Sequence, residues 1–574
     1  MIVPNLVTII LSLLLCAYHG STYITWIEAR IPLKGNRALP GTPWPVPQQW
    51  HQQENVFIAD PQTFHFESNV QGCDILEKAY DRYREIMFNG HNYTLDESLK
   101  KDRNILNRCT VTVNQKVLDC DYPKYGVDEK YDIMIRPEGC QITSNSVWGA
   151  LYGLETLSQL LYPSESNNYL LINQTYIHDW PEYKYRGMLL DTARHFIPLE
   201  ILLANLDAMA YNKFNVFHWH LVDDQSFPYE SKRFPELTRR GAYSSKHVYT
   251  QKDVKLVIDY ARMRGIRVLP EIDSPGHTKV FERVFPNLLT PCYGEGPDKP
   301  YTPRYPEHSD ADNLHPLRNE TYSVMLELFK ELKEVFPDEY IHLGMDEVYY
   351  ACWKSNPEIL SFMQANGWTE MNQVEQYYVR RTLENVKNIN YKYMIWQDPV
   401  DNGVRLANDS LVEVWKDTRL DPSMKSWQEY TRPIAQQGYE IVLSACWYLN
   451  YINYPYPGRD WEVYYLCDPR SFTNVKAEKD LVVGGEACLW SEFADGTNIL
   501  SRIWPRASAV AERLWTNPTI NDVDSARFRL DQHRCRMLER GIPAAPILNG
   551  FCGAYEWANK KVSVRPGDRI SLGQ

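Results

Sequence analysis

The chain has 574 residues, a formal charge of −12, 44% apolar and 13% aromatic residues. That is enough apolar surface for large cores, which excludes a disordered chain, and the length corresponds to about two to four domains. The acidic balance argues against nucleic acid or an anionic membrane surface as the main partner, and the acids are spread along the chain as on an ordinary solvated surface.

Val7 to Ala17 is an apolar run followed by Tyr18-His19-Gly20-Ser21. It is shorter than the ~20 residues of a membrane span. Residues 1–20 therefore read as a signal peptide, although no Lys or Arg precedes the run. No later stretch is long and apolar enough to span a bilayer, so a product of the secretory pathway with no membrane span is expected. Asn92, Asn173, Asn319 and Asn408 each begin a glycosylation triplet, which fits that route. Twelve cysteines occur; setting aside Cys16 leaves an odd eleven, so at least one is free or intermolecular. None has the C-x-x-C spacing of a zinc ribbon.

Residues 21–55 contain Leu39-Pro40-Gly41-Thr42-Pro43-Trp44-Pro45 and read as an extended leader. Residues 56–180 mix helical periodicity (Ile75–Phe88, Ser146–Leu161) with strand-like segments (Thr110–Val117, Tyr131–Ile135), which predicts a smaller α/β domain. From 181 to 555 short apolar runs recur: Tyr185–Asp191, Asn215–Val222, Ile266–Asp273, Tyr340–Glu347, Tyr391–Asp398, Leu411–Trp415, Glu440–Trp447 and Leu481–Trp490. Helical patterns lie between most of them (Leu199–Tyr211, Gln251–Arg262, Tyr322–Val335, Met371–Lys387, Ser426–Gln437), and Leu500–Trp515 follows the last. Eight strands alternating with helices predict a (β/α)8 barrel, with a C-terminal tail over 556–574. An open doubly wound sheet would carry a Gly-rich phosphate turn after an early strand, and Asp191-Thr192-Ala193-Arg194-His195 is none.

In such a barrel the strand ends form the site. They carry Asp191, Arg194, His218, His220, Asp223, Asp224, Asp273, His277, Asp346, Glu347, Trp396, Asp398, Trp415, Trp447, Tyr448, Asn450, Trp490 and Glu492. Acids and Arg grip hydroxyls through charge-assisted hydrogen bonds, and Trp faces stack on the C–H face of a pyranose, so the pattern points to a sugar. The adjacent carboxylates Asp346 and Glu347 suit acid–base work if one stays ionised while a drier partner holds its proton. The plainer reading of the same pair is a solvated helix start. His218, His220, His277 and Asp346 could also ligate a divalent ion, but a histidine on a buried strand is more often a hydrogen-bonded core residue, and no metal or cofactor is expected.

Leu190-Asp-Thr-Ala-Arg-His195, His218-Trp-His-Leu-Val-Asp-Asp224, Asp273-Ser-Pro-Gly-His277, His342 to Val348 and Gly485 to Glu492 together resemble glycoside hydrolase family 20, and within it the lysosomal β-N-acetylhexosaminidase chains of animals. The resemblance runs from about Cys73 to Cys552. It implies a small α/β domain before a catalytic barrel, and a retaining exo-acting enzyme that removes terminal β-linked GlcNAc or GalNAc. The substrate's own acetamido oxygen is then the nucleophile, an exception to the scheme of two protein carboxylates. By the same resemblance Glu347 is the general acid/base, Asp346 holds the acetamido N–H and Tyr448 donates to its oxygen. Arg194 and Glu492 hold sugar hydroxyls; Trp396, Trp415 and Trp490 wall the pocket; Asp223 and His277 steady the acids; Asn450 lies at the rim. Cys73–Cys120, Cys292–Cys352 and Cys535–Cys552 are implied disulfides. Cys109–Cys140 and Cys446–Cys467 lie outside any pairing the resemblance covers, and would leave Cys488 as the odd thiol. The partners implied are glycans with a terminal N-acetylhexosamine and a second copy or a related chain, in the lysosome or outside the cell. The rivals are an enzyme of chitin oligomers and a catalytically silent lectin. Two residues depart from the family pattern: Met345 stands where a second Gly precedes the acids, and Cys446 where Pro often precedes Trp-Tyr.

Overall fold

A computed structural model describes residues 35–553 apart from 97–98, 100–103, 115–118, 167, 294–312 and 452–458. The signal peptide, residues 21–34 of the leader, the tail and the end of the predicted strand Thr110–Val117 lie outside the described residues.

The first unit is a mixed sheet of β1 (Gln49–Ala59), β2 (His65–Ser68), β3 (Ile105–Leu106), β4 (Arg108–Val113), β5 (Tyr131–Arg136), β6 (Gly139–Ser144), β7 (Tyr162–Pro163) and β8 (Leu170–Asp179). Its order is β2-β4-β6-β5-β8-β1-β3, with β7 on β8. Helices Asp74–Phe88 and Val147–Leu160 cover it, the second capped by Ser146, whose hydroxyl accepts from the Gly149 N–H at 3.1 Å. β1 starts inside the stretch read as leader, because Trp50 and the alternating residues after it pair with β8.

The second unit is a closed parallel barrel of β9 (Tyr185–Asp191), β10 (Val216–Val222), β11 (Arg267–Ile272), β12 (Tyr340–His342), β13 (Lys392–Trp396), β14 (Leu411–Val414), β15 (Glu440–Leu443) and β16 (Val482–Leu489). The (β/α)8 architecture read from the sequence is the one observed. Tyr185, Val216, Leu269, Tyr340, Met394, Leu411, Val442 and Val483, one from each strand, form an apolar cluster of their own near the strand starts. Helices surround the barrel. Gln251–Arg262 shows why such a segment folds: Thr250 and Asp253 form a capping box, and Val254, Val257, Ile258 and Ala261 give one buried stripe. The predicted single helix Leu500–Trp515 is instead two, Ile499–Ile503 and Arg506–Trp515, because Pro505 has no N–H to continue the ladder.

Buried charges join the two units. Arg186 at the start of β9 donates to both oxygens of Glu129, at 2.7 and 2.9 Å. Lys213 donates to Asp179 at 3.0 Å and to the Tyr131 hydroxyl at 2.8 Å. Trp44 of the leader is buried between the units, its indole N–H on the Ser508 carbonyl at 2.9 Å.

The predicted strand Tyr340–Glu347 ends at His342 because the backbone turns left-handed. Gly344 has φ +69°, Met345 +77° and Glu347 +49°. Gly344 admits no side chain, since a Cβ would lie 1.6 Å from Asp273 Oδ1. Met345 is the departure anticipated from sequence, a bulky residue where the conformation favours glycine. Its side chain is fully buried, and its N–H donates to Asp273 Oδ1 at 3.0 Å.

Two outcomes follow. Met345→Gly removes about 1 kcal/mol of backbone strain but empties a buried methionine site worth about 2–5 kcal/mol, so denaturant unfolding should show a net loss of stability. Arg186→Met leaves Glu129 buried without its cation and should cost about 3–5 kcal/mol, part of which Glu129→Gln restores in the double variant. Full stability in Arg186→Met would show that the pair does not join the units.

Candidate active site

The site is built in layers by the two-residue period of the strands. Above the apolar cluster, the next inward positions carry His218, Glu271, His342, Trp396 and Glu413, with Glu486 three residues past Val483 across a register shift between β15 and β16, all buried. His218 reaches Glu486 at 2.7 Å through Nδ1 and Glu271 at 3.0 Å through Nε2. His342 Nδ1 lies 2.9 Å from Glu271 Oε1, which also accepts the Trp396 indole N–H at 3.1 Å. Although burial opposes it, the carboxylates around His218 hold that imidazole well above its usual range. His220 is held at about 9, burial being outweighed by Glu271 and Asp223. Burial and the charge of Glu486 push Glu413 well up, so it keeps its proton.

At the strand ends this network passes into the proposed sugar site. His220 Nε2 lies 2.7 Å from Asp223 Oδ2, which also takes Arg194 at 2.9 Å. Despite burial, the charges of Arg194 and His277 hold Asp223 far below the usual carboxylate range. Arg194 also pairs with Asp191 at 3.2 Å and stands 4.0 Å from Glu492, whose side chain is 43% exposed. His277, itself left-handed at φ +55°, spans the acids. Its Nδ1 lies 3.4 Å from Asp223, and its Nε2 lies 3.6 Å from Asp346 and 3.4 Å from Glu347.

The two adjacent acids differ in setting. The Asp346 side chain is 12% exposed and that of Glu347 39%. Burial pushes Asp346 up to about 7; the charges of Asp398 and Glu347 add to this and His277 opposes it. Asp273 is pushed up by burial and by Asp346, so these two neighbours do not both ionise readily. Asp346 Oδ1, Arg194 Nε and Asn450 Oδ1 are buried and lack a protein hydrogen-bond partner. Unsatisfied groups of this kind are costly unless a ligand or water meets them.

Aromatic rings close the pocket. Trp396 lies 6.0 Å from Trp490, and Trp415 stacks with Tyr448 at 6.4 Å. The Arg194 guanidinium sits 5.1 Å over Trp490. Burial raises the Tyr448 phenol well above its usual range, so it stays a donor. Trp415 is fixed by its indole N–H on Asp398 Oδ2 at 2.8 Å.

Among the described residues, His218, His220, His277 and Asp346 do not converge on one point; His218 and His220 face carboxylates, and only His277 and Asp346 meet, beside Asp273. Cationic imidazoles bound to carboxylates suit an ion network rather than metal ligation. Sequence reasoning passed over Glu271, Glu413, Glu486, His342 and Lys416. Glu271, Glu413 and Glu486 lie inside apolar runs, where nothing in the sequence marks the cross-barrel partner that gives them meaning. Cys73–Cys120, Cys109–Cys140, Cys292–Cys352, Cys446–Cys467 and Cys535–Cys552 are bonded, and Cys488 is a buried free thiol. Asn92, Asn319 and Asn408 are exposed, whereas the Asn173 amide on β8 donates to the Gln53 carbonyl at 2.9 Å and accepts from Tyr162 at 2.7 Å.

The profile described as glycosyl hydrolase family 20, catalytic domain, matches residues 183–518, and one described as β-acetyl hexosaminidase like matches residues 43–160. The β-hexosaminidase subunit beta of Homo sapiens is 42% identical over 516 residues, covering 89% of each chain. The β-hexosaminidase subunit alpha of Rattus norvegicus is 43% identical over 517 residues, 89% of this chain and 94% of its own. A solved chitobiase of Flavobacterium johnsoniae superposes with a TM-score of 0.75 at 27% identity, over 88% of this chain and 73% of its own. With a catalytic-domain match over more than half its length, on a barrel whose rim gathers these acids and rings, the chain belongs to glycosyl hydrolase family 20.

Proposed function

We propose that the protein is a retaining exo-β-N-acetylhexosaminidase that removes terminal β-linked GlcNAc or GalNAc by substrate-assisted catalysis. The observation that carries this reading is the pair Asp346 and Glu347: adjacent, both on His277, one buried with an unpartnered oxygen and the other more open. In the first step the acetamido oxygen bonds to the anomeric carbon, the glycosidic C–O bond breaks, and Glu347 gives its proton to the leaving oxygen. This yields an oxazolinium ring. In the second step Glu347 takes a proton from water, whose oxygen attacks the anomeric carbon and reopens the ring, so configuration is retained.

Asp346 accepts the acetamido N–H and Tyr448 donates to the acetamido oxygen, which orients the nucleophile. Burial holds Asp346 near 7. Positive charge developing on the ring favours its ionised form, so the carboxylate is most stabilising where charge develops. Arg194 and Glu492 hold ring hydroxyls, and Trp396, Trp415 and Trp490 enclose the sugar. Asp223 and His277 hold Arg194 and the acids in place. The named relatives are subunits, which supports assembly as a homodimer or with a related chain. Five disulfides support passage through an oxidising compartment, with residence in the lysosome or outside the cell.

Hydrolysis of a chromogenic N-acetyl-β-glucosaminide separates this reading from a silent lectin, which binds without turnover. Glu347→Gln should lower kcat by about 10²–10⁴, with a smaller loss on substrates whose leaving group needs no proton. An equal loss on every leaving group would remove Glu347 from the acid role.

The rim supports a preference for neutral sugars. Asn450 and Tyr451 add neither a cation nor a carboxylate, and Tyr451 is 45% exposed. Arg506 lies beneath them, but its guanidinium is committed to Asp460 at 2.7 Å and to the Tyr451 and Leu449 carbonyls. On the described residues, a sulfate there loses water without gaining a charged partner from Asn450, Tyr451 or Arg506. Neutral substrates should therefore exceed 6-sulfated ones in kcat/KM, and Tyr451→Arg should narrow the gap. Equal rates on both substrates in the wild type would defeat the role given to Tyr451.

A further inference from the structure

Behind the two acids stands a cluster that the reaction scheme does not use. Asp398, two residues past β13, receives the Glu347 backbone N–H on Oδ1 at 3.3 Å and the Trp415 indole on Oδ2 at 2.8 Å. Lys416, two residues past β14, lies 2.8 Å from that same Oδ1 and 3.2 Å from Asp401. Gln397 fixes the arrangement: its Oε1 accepts the backbone N–H groups of Trp415 and Lys416 at 2.9 and 3.0 Å, and its Nε2 donates to Asp401 at 2.9 Å. The Lys416 side chain is only 18% exposed. One carboxylate thus holds the backbone of the proposed acid and a wall of the pocket, and one lysine neutralises it.

We propose that Lys416 is a positioning residue that acts through Asp398: it cancels the charge behind Glu347 and so favours the Asp346 carboxylate over its protonated form. This rests on the roles given above to Asp346 and Glu347. The groups facing Asp398 are Lys416, Asp346, Glu347, Asp401 and, behind them, Glu375 with Tyr350 and Asn402. His277 and Asp273 face Asp346 from the other side. Among the described residues, Lys416 pairs with Asp398 and Asp401 on the side of this wall of carboxylates away from His277. Removing it leaves the Asp398 charge uncompensated, which disfavours the Asp346 carboxylate and raises its pKa further. The sign follows: a larger protonated fraction at low pH costs activity first on the acid side.

The test is kcat/KM against pH for the whole protein on a chromogenic N-acetyl-β-glucosaminide. In Lys416→Met the acid limb should move up by about one pH unit, a loss of about tenfold at low pH carried by kcat, with a much smaller loss near neutrality. Lys416→Arg should keep the wild-type limb. Asp398→Asn, which removes the repelling charge, should move it down. The double variant Lys416→Met/Asp398→Asn should bring the limb back toward wild type. A uniform loss at every pH, or a double variant whose limb stays with Lys416→Met, would reduce Lys416 to a packing residue and overturn the proposal. If Lys416→Met does not fold, Asp398→Asn alone decides, and an unmoved limb refutes it. Full activity in Glu347→Gln and Asp346→Asn would instead refute the assignment of the acids, whatever Lys416 does.

Discussion

Everything at the rim stands on buried charges that cross the barrel. Glu271 is shared by His218, His220 and His342 and also holds Trp396. Ion pairs in a dry interior gain little net stability, since desolvation offsets the attraction, but removing one partner is expensive. What such a network gives is geometry. From Glu271 the chain of contacts runs through His220 to Asp223, and from Asp223 to Arg194 and His277, which reaches both acids. The positions of Arg194, His277 and the two acids are thereby tied to a layer that cannot shift without exposing a charge.

A second constraint is the backbone at the end of β12. Successive side chains on a strand face opposite ways, so adjacent acids on a regular strand could not both serve one pocket. Left-handed residues at Gly344, Met345 and Glu347 abolish that alternation at the point of need. The N–H of Met345 on Asp273 and that of Glu347 on Asp398 hold the turned backbone from the two neighbouring strand ends. Strain here is sustained by the surrounding contacts, as is common where a site fixes reacting groups.

The barrel was legible because short apolar runs, buried on both faces, alternate with helices of period 3.6; β9 lies at the residues read for it, Tyr185–Asp191. Strand ends were read too long where the apolar signal runs on into the pocket. Trp415 does lie just past the end of β14, but Trp447, read as a rim residue, is fully buried in the core four residues past β15, its indole N–H on the Tyr464 carbonyl at 3.0 Å. The break at Pro505 was visible as a proline, but the apolar pattern on both sides of it reads as one helix. Met345 stood out against the family pattern as a bulky residue where a second Gly precedes the acids; its left-handed backbone is a finding of the structure. Lys416 did not: a lone lysine after a strand is ordinary in sequence, and only the fold brings it against Asp398 and Asp401. The buried carboxylates Glu271, Glu413 and Glu486 were hidden for the opposite reason, since an acid inside an apolar run has meaning only once its cross-barrel partner is known.

The division of labour between the acids follows from where each sits rather than from what each is. Asp346 is buried beside Asp273, His277 and Asp398, so its charge is costly until a positive partner arrives. Glu347 is the more exposed of the two and, in the role proposed for it, is the better placed to exchange protons with water. A protein nucleophile would need a carboxylate that is ionised and nucleophilic in the free enzyme; the buried one here is held near 7. An acetamido oxygen supplied by the substrate removes that need and brings its own compensating charge. The same burial that makes Asp346 a poor attacking group makes it responsive to a cation forming beside it, so the pocket rewards only sugars able to form that ring.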